Sequence, residues 1–153
     1  MIKKEFEIKL ITTAQTLELR RSVLKPHRSE EESICPSDDL ESTFHFGLVT
    51  VKEIACVVSF MQEAHKEISG KHPYRLRGMA TADKFRGHGF GRELVSYGLE
   101  FLRTKHDCDL VWCDARESAF PFYEKLGFQF HGSMFDLKDT GPHKVMYKRL
   151  IPR

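Results

Sequence analysis

The chain has 153 residues, of which 41% are hydrophobic and 30% are charged, with 24 Lys and Arg against 22 Asp and Glu. This length is typical of one domain that buries about two-thirds of the unfolded chain's surface, so we predict a single domain over residues 1–153. The composition excludes intrinsic disorder, and a net charge of +2 excludes the strongly basic surface that indicates a nucleic-acid partner.

Membrane and metal signals are weak in this sequence. No stretch approaches the roughly 20 apolar residues that span a bilayer, and the first residues, MIKKEFEIKL, alternate charged and apolar side chains. We therefore expect a soluble cytoplasmic protein that binds no membrane. The four cysteines lack the spacing of zinc or redox motifs, and His106 with Cys108 is an isolated pair. We expect reduced cysteines and no bound metal.

The first half of the chain begins with a strand and a helix. Residues 5–11 alternate like a half-buried strand. Thr12 and Gln15 then have the spacing of a capping box, which predicts a helix that reaches Leu24 and stops at Pro26.

Within this predicted helix, Arg21 interrupts the apolar face, and we interpret it as a surface arginine with a buried stem. A polar loop and a hairpin follow the helix. Residues 25–42 are rich in acids and form what we call the acidic loop, which we expect to line a pocket. Residues 44–51 and 54–61 read as two strands joined by a tight turn.

The second half is predicted to alternate strands and helices. One helix follows a glycine-rich turn at residues 86–91, and a second is capped by Ser118 and ended by Gly127. Four further strands are predicted, at 74–81, 110–113, 128–135 and 143–150.

The glycine-rich turn has the chemistry of a pyrophosphate site. Glycines allow close approach of the backbone and positive φ, while the new helix presents free N–H groups and a favourable dipole. The pattern is neither a P-loop nor a dinucleotide fingerprint, because no Gly-Lys-Ser/Thr follows and the glycines are too closely spaced. We predict that the cofactor is held by Arg86, Gly87, His88, Gly89, Phe90, Gly91 and Arg92.

Two segments resemble the GNAT superfamily of N-acetyltransferases, in a bacterial branch. They are MATADKFRGHGFGRELV (79–95) and AFPFYEKLGF (119–128), which have the order and spacing of the family's motifs. The resemblance covers residues 74–150 well, and the first half only through its order of elements. It implies an α/β (α+β) domain with a mixed, mostly antiparallel sheet of about seven strands flanked by helices. The sheet would be splayed between strands four and five, with pantetheine in the opening.

The resemblance also implies site residues. Met79, Ala80 and Thr81 would line the cofactor through backbone hydrogen bonds, and Ala119 belongs to the second motif. The family often has an asparagine three residues before that alanine, where this chain has Arg116. We keep Arg116 as a predicted cofactor contact that departs from the family pattern.

Acyl transfer to an amine needs a base, an oxyanion site and an acid for the leaving thiolate. The resemblance puts the oxyanion against N–H groups near Met79 and Ala80, and makes Tyr123 the acid. The base is not identified, and the sequence leaves open Glu41, His45 and His143.

The substrate side of the reaction is less well determined. Asp38 and Asp39 could attract a cationic acceptor or be solvated acids of the acidic loop. The leading hypothesis is an acetyl-CoA-dependent N-acetyltransferase that acts on a primary amine of a small molecule or peptide. The alternative is a non-catalytic acyl-CoA-binding or sensing domain. Nucleic-acid binding is disfavoured because acids balance the basic residues, and a homodimer stays open.

Overall fold

The computed structural model describes residues 5–152 and contains the predicted alternation of strands and helices. Three α-helices are present in this part of the chain: α1 (Thr13–Leu19), α2 (Phe90–Lys105) and α3 (Phe120–Lys125). The seven strands are β1 (Glu7–Leu10), β2 (Phe44–Val49), β3 (Ile54–Gln62), β4 (Pro73–Thr81), β5 (Leu110–Arg116), β6 (Gln129–Leu137) and β7 (Gly141–Arg149). None of the helices among residues 5–152 is both long and apolar enough to cross a bilayer.

The strands form a mixed sheet in the order β1-β2-β3-β4-β5-β7-β6. Neighbours are antiparallel at β1–β2, β2–β3, β5–β7 and β6–β7, whereas β4 and β5 are parallel. The parallel ladder covers only Pro73–Arg75 and Leu110–Trp112, although both strands continue beyond it. These findings confirm the predicted mixed sheet of seven strands.

Contacts within the chain define two compact units, and β4 contributes residues to both. The first unit runs up to Met61 and includes Arg77–Gly98, and the second contains Gln62–Leu76 and the residues from Leu99 onward. In the first unit, Ile11, which lies between β1 and α1, joins apolar side chains of α1, β2, β3 and β4 in a buried cluster: Ile11, Leu19, Val49, Val57 and Ala80.

Helix α2 packs unusually close to β3 within the first unit. A Cβ atom placed on Gly98 would lie 2.4 Å from the Phe60 ring, so only glycine fits there. On the same helix Leu94 and Val95 are fully buried. Burial of each contributes about 1.5–3 kcal/mol relative to exposure, which anchors α2 and with it the start of the helix.

The second unit has its own core, built on β5 and β7. Ile68, Leu110 and Trp112 are buried there, and Trp112 donates its indole N–H to the Glu63 carbonyl oxygen at 2.9 Å. The Arg75 guanidinium lies 4.6 Å from the centre of the Trp112 ring.

The predicted capping box of α1 is confirmed. The Gln15 N–H donates to the Thr12 hydroxyl at 3.2 Å, and the Thr12 N–H donates to the Gln15 side chain at 2.8 Å. The regular helix ends at Leu19, however, and a π-helical turn, Arg20–Leu24, continues to the predicted end.

The predicted cap of α3 is wrong. Ser118 lies in a 3₁₀ turn, and the helix starts after Ala119 without a side-chain hydrogen bond at its cap. A proline in the first turn makes such a bond less necessary, because its fixed φ suits a helix start and it has no N–H to satisfy. The predicted end at Gly127 is confirmed by its φ of 92°. The Phe128 N–H reaches the Tyr123 carbonyl at 3.0 Å, as in a Schellman motif.

All four cysteines are free thiols. Burial raises the pKa of Cys56 and of Cys108 to about 11 and raises the pKa of Cys113 still further. These three thiols are therefore protonated at neutral pH and unsuited to nucleophilic chemistry. Cys35 differs because it is partly exposed in the acidic loop.

Candidate active site

The glycine-rich turn between β4 and α2 has an open backbone. Gly87 and Gly89 have φ values of 83° and 77°, and a Cβ atom at either would meet no described atom within 4 Å. Other residues rarely adopt such φ values, so both glycines are required by the conformation itself. The space beside them is free for a ligand.

The first turn of α2 leaves backbone donors available. The Glu93 N–H bonds to the Gly89 carbonyl at 3.0 Å, so the N–H groups of residues 90–92 precede the first intrahelical bond. The 16-residue helix behind them adds the positive end of its dipole. Anions such as the oxygens of a pyrophosphate are stabilised at this kind of helix start.

Aromatic packing holds the turn in place. Phe90 is buried, and its ring lies 4.5 Å from that of Phe6 and 6.2 Å from that of Phe85 between ring centres. The chain enters the turn from β4 through the Ala82 N–H, which donates to the Ala55 carbonyl of β3 at 2.9 Å. The start of α2 is therefore tied to the sheet within the first unit.

Cationic side chains flank the turn. The Arg86 side chain is 58% exposed, and its Nε lies 3.3 Å from Asp83 Oδ1. Arg92 and His88 are also exposed, with the His88 ring stacked on Phe90 at 5.4 Å. Both arginines can turn toward a bound anion, since no burial restrains their side chains.

The end of β4 carries the other predicted cofactor residues of the first unit. Ala80 is buried, while Met79 and Thr81 are half-buried. The Thr81 hydroxyl lies 3.1 Å from the Cys56 sulfur on β3. Just before them Gly78 has a φ of 63°, a conformation that interrupts the regular strand. The sequence contains no signal for this distortion beyond the glycine itself.

The remaining predicted residues lie in the second unit. Arg116 ends β5 and is half-buried, and its desolvation lowers the pKa of the guanidinium from the usual value. Ala119 is the residue before α3. Tyr123 is only 6% exposed, and its ring centre lies 5.0 Å from that of Phe122 and 5.3 Å from that of Phe128.

The structure corrects the interpretation of Asp38 as a side chain that recruits the acceptor. Asp38 is 3% exposed and forms an ion pair with Arg20 at 2.8 Å. Asp39 is exposed and accepts a hydrogen bond from the Thr13 hydroxyl at 2.7 Å. Of the two acids, Asp39 alone is placed where a solvated acceptor could meet it.

The three candidate bases have different surroundings. His45 is buried, with Nδ1 2.6 Å from the Ser59 hydroxyl and Nε2 2.9 Å from the Asp38 carbonyl oxygen, so both ring nitrogens are engaged. With both ring nitrogens engaged, His45 is a poorer candidate for the general base than the other two residues. His143 is buried with Nδ1 2.8 Å from the Gly141 carbonyl oxygen, and Glu41 is exposed in the acidic loop.

Sequence reasoning missed the most buried charge of the first unit. It singled out Arg21, which is half-buried, whereas the neighbouring Arg20 is 2% exposed and pairs with Asp38. The π-helical turn that begins at Arg20 changes which side chains face inward, so the period of a regular helix points to the wrong arginine. Among residues 5–152, no three His, Cys, Asp or Glu side chains group closely enough to hold a metal ion.

We expect Asp38→Asn to destabilise the fold by about 3–5 kcal/mol at neutral pH, because it leaves the buried Arg20 charge unpaired. Burial alone would raise the pKa of the Asp38 carboxyl, but hydrogen bonds from Arg20 and the Cys35 N–H hold it below its usual range. Since the folded-state pKa is the lower one, this stabilisation is present above about pH 4 and is lost as the pH falls through the folded pKa. Urea unfolding of both proteins over a series of pH values from neutral downward measures this difference, which should shrink as the Asp38 carboxyl of the folded protein is protonated. A constant difference would contradict this role of the carboxylate.

Comparisons with known proteins identify the family of this chain. The model of the acetyltransferase (GNAT) family matches residues 13–128. A Bacillus subtilis (strain 168) protein, "Uncharacterized N-acetyltransferase YitI", is 34% identical over 144 residues, which cover 94% of this chain and 96% of that protein.

Solved structures support the fold. Escherichia coli ElaA superposes with a TM-score of 0.74 at 18% identity, covering 94% of this chain and 98% of that one. An aminoglycoside 6'-N-acetyltransferase complexed with coenzyme A has a TM-score of 0.76 at 16% identity, covering 96% of this chain and 98% of that one. Since the family model matches most of the chain, the protein belongs to the acetyltransferase (GNAT) family and is an acyltransferase enzyme.

Proposed function

We propose that the protein transfers an acetyl group from acetyl-CoA to a primary amine of a small molecule or a peptide. The amine nitrogen attacks the thioester carbon, a C–N bond forms, and the C–S bond breaks. The amine loses one proton, and the departing sulfur takes one to give free CoA. This direct route needs no covalent enzyme intermediate and no metal.

The observation that carries this proposal is the open backbone of the glycine-rich turn. Gly87 and Gly89 leave space beside the N–H groups that start α2, and Arg86 and Arg92 supply positive charge. We assign the pyrophosphate of CoA to this turn. The relative crystallised with coenzyme A makes this cofactor the natural one to test.

The remaining roles follow the family resemblance. Met79 and Ala80 would offer backbone N–H groups to the oxyanion, and Thr81 would continue the contact along the cofactor. Arg116 and Ala119 would also contact the cofactor. Tyr123 would donate a proton to the leaving thiolate. Asp39 and Glu41 are exposed acids of the acidic loop that could meet a cationic acceptor.

The test is acetyl-CoA turnover by the purified protein against a panel of amines. Released thiol measures turnover, and the mass increase of an added acetyl group identifies the acceptor. Binding of CoA without turnover of any amine would favour the sensing alternative. Since free thiols suit a reducing compartment, we place the reaction in the cytoplasm.

We expect Arg86→Ala to weaken CoA binding by about 1–3 kcal/mol, because it removes a charge-assisted contact to the pyrophosphate. Calorimetry with CoA measures this loss, which shrinks at high salt because the side chain is exposed. Lys84→Ala is the matched control, since that exposed cation pairs with Glu53 at 2.8 Å outside the turn. Equal losses in both variants would show that only the general positive field matters.

A further inference from the structure

A buried ionic network lies in the first unit, away from the glycine-rich turn in sequence. The Arg20 guanidinium donates to both carboxylate oxygens of Asp38, at 2.8 and 2.9 Å. It also donates to the Ser59 hydroxyl of β3 at 2.9 Å and to the Ser33 carbonyl at 3.1 Å. One side chain therefore joins the end of α1, the acidic loop and the sheet.

Further contacts make this network rigid. Asp38 also accepts from the Cys35 N–H at 2.7 Å, which folds the acidic loop around the carboxylate. His45 on β2 bridges the Ser59 hydroxyl and the Asp38 carbonyl oxygen, at 2.6 and 2.9 Å. The contacts of Arg20 and His45 are buried and that of the Cys35 N–H is partly buried, so solvent competes little for them.

Arg20 also lies against β4, beside the backbone predicted to contact the oxyanion. Its Nε is buried and has no hydrogen-bond partner among the described residues. A Cβ atom added to Gly78 would lie only 2.7 Å from this Nε. The arginine stem therefore fills the place that a side chain at position 78 would take. Gly78 directly precedes Met79 and Ala80, and its φ of 63° sets the direction of their backbone.

Stability alone does not account for such a network. Desolvation of two charges is costly, and well-packed apolar residues of similar volume often stabilise a fold as well or better. What apolar residues cannot reproduce is the fixed fork of the guanidinium, which holds four oxygen atoms at once. The network is therefore suited to hold the surrounding backbone in one conformation.

We propose that Arg20 is a positioning residue for acetyl transfer, which fixes the Met79–Ala80 backbone through Gly78 and the acidic loop through Asp38. This inference rests on the proposed function, because it assigns the oxyanion contact to that backbone. A small displacement of such donors lowers the rate of the chemical step and leaves cofactor binding at the glycine-rich turn intact.

The first experiment replaces the ion pair by apolar side chains, Arg20→Met together with Asp38→Leu, so that no charge is left unpaired. We expect kcat to fall by about tenfold or more, with the Kd for CoA changed less than about twofold. Arg20→Lys should not rescue kcat, because an ammonium group lacks the fork. A double variant with wild-type kcat would overturn the proposal.

The second experiment probes the contact at β4 directly and covers the case in which the double variant does not fold. Gly78→Ala adds the methyl group that would collide with Arg20, and Gly132→Ala is its control, with a φ of 77° and open space. We expect Gly78→Ala to lower kcat at unchanged CoA affinity and Gly132→Ala to leave both unchanged. Equal kinetics for the two variants would contradict the coupling.

Hydrogen exchange separates this inference from the proposed function. We measure exchange in the Arg20→Met/Asp38→Leu double variant and in Gly78→Ala, using whichever of the two folds. We expect amides of the acidic loop and of residues 78–81 to exchange faster together, while those of β1 do not change. Wild-type protein that binds CoA but acetylates no amine would end the proposed function, and the exchange data would still decide whether Arg20 fixes both segments. Unchanged exchange in both segments would overturn it.

Discussion

Gly89→Val is expected to abolish coenzyme A binding. The valine side chain would occupy the open space beside the turn, where the pyrophosphate must approach the N–H groups of residues 90–92. Valine is also disfavoured at a φ of 77°, at a cost of about 1–3 kcal/mol, so the turn would shift away from its binding conformation. Calorimetry with CoA should then show no heat of binding.

Gly132→Val is the control that separates these two causes from a general loss of folding. Gly132 lies in β6, has the same φ of 77° and likewise has no described atom within 4 Å of an added Cβ. The two variants should lose similar stability in urea, but only Gly89→Val should lose CoA. Wild-type affinity in Gly89→Val would remove the turn from the cofactor site.

Tyr123→Phe is expected to lower kcat by at least about tenfold, since general acid catalysis is commonly worth ~10²–10⁴-fold. Phenylalanine keeps the ring that packs against Phe122 and Phe128, and the Schellman motif at the end of α3 uses only the Tyr123 backbone. Folding and CoA affinity should therefore change little. Single-turnover kinetics with a true acceptor measures the chemical step directly.

A structural role for the Tyr123 hydroxyl makes the opposite prediction. It would cost about 1 kcal/mol of folding free energy and leave kcat nearly intact. Tyr74→Phe is the matched control, because Tyr74 is similarly buried at 3% exposure but lies in β4. A kcat within twofold of wild type for Tyr123→Phe would mean that the thiolate leaves without this proton donor.

Local sequence signals predicted most of the fold. The capping box at Thr12, the alternation in the strands and the glycine at the end of α3 each depend on neighbours within a few residues, so they could be read directly. The glycine-rich turn was predictable for the same reason. Its positive φ values and its place before α2 are properties of residues 86–91 themselves.

The missed features depend on distant partners. Arg20 and Asp38 are 18 residues apart, and their pairing with Ser59 of β3 requires the folded sheet. Asp38 therefore looked like a solvated acid of a polar loop. Ser118 had the residue type of a helix cap, but the local 3₁₀ turn and the proline in the first turn of α3 determined the helix start. The periodicity of apolar residues predicts neither the distant partner of a charged side chain nor the residue at which a helix begins.

The different exposure of the four cysteines leaves one thiol available for a fluorescent label. Thiolates are the reactive form, and burial keeps Cys56, Cys108 and Cys113 protonated and shielded. Cys35 is the partly exposed thiol, and its own N–H holds the Asp38 carboxylate at 2.7 Å. We therefore expect a maleimide dye added to the unaltered chain to react first at Cys35, which would label the acidic loop without any engineered residue.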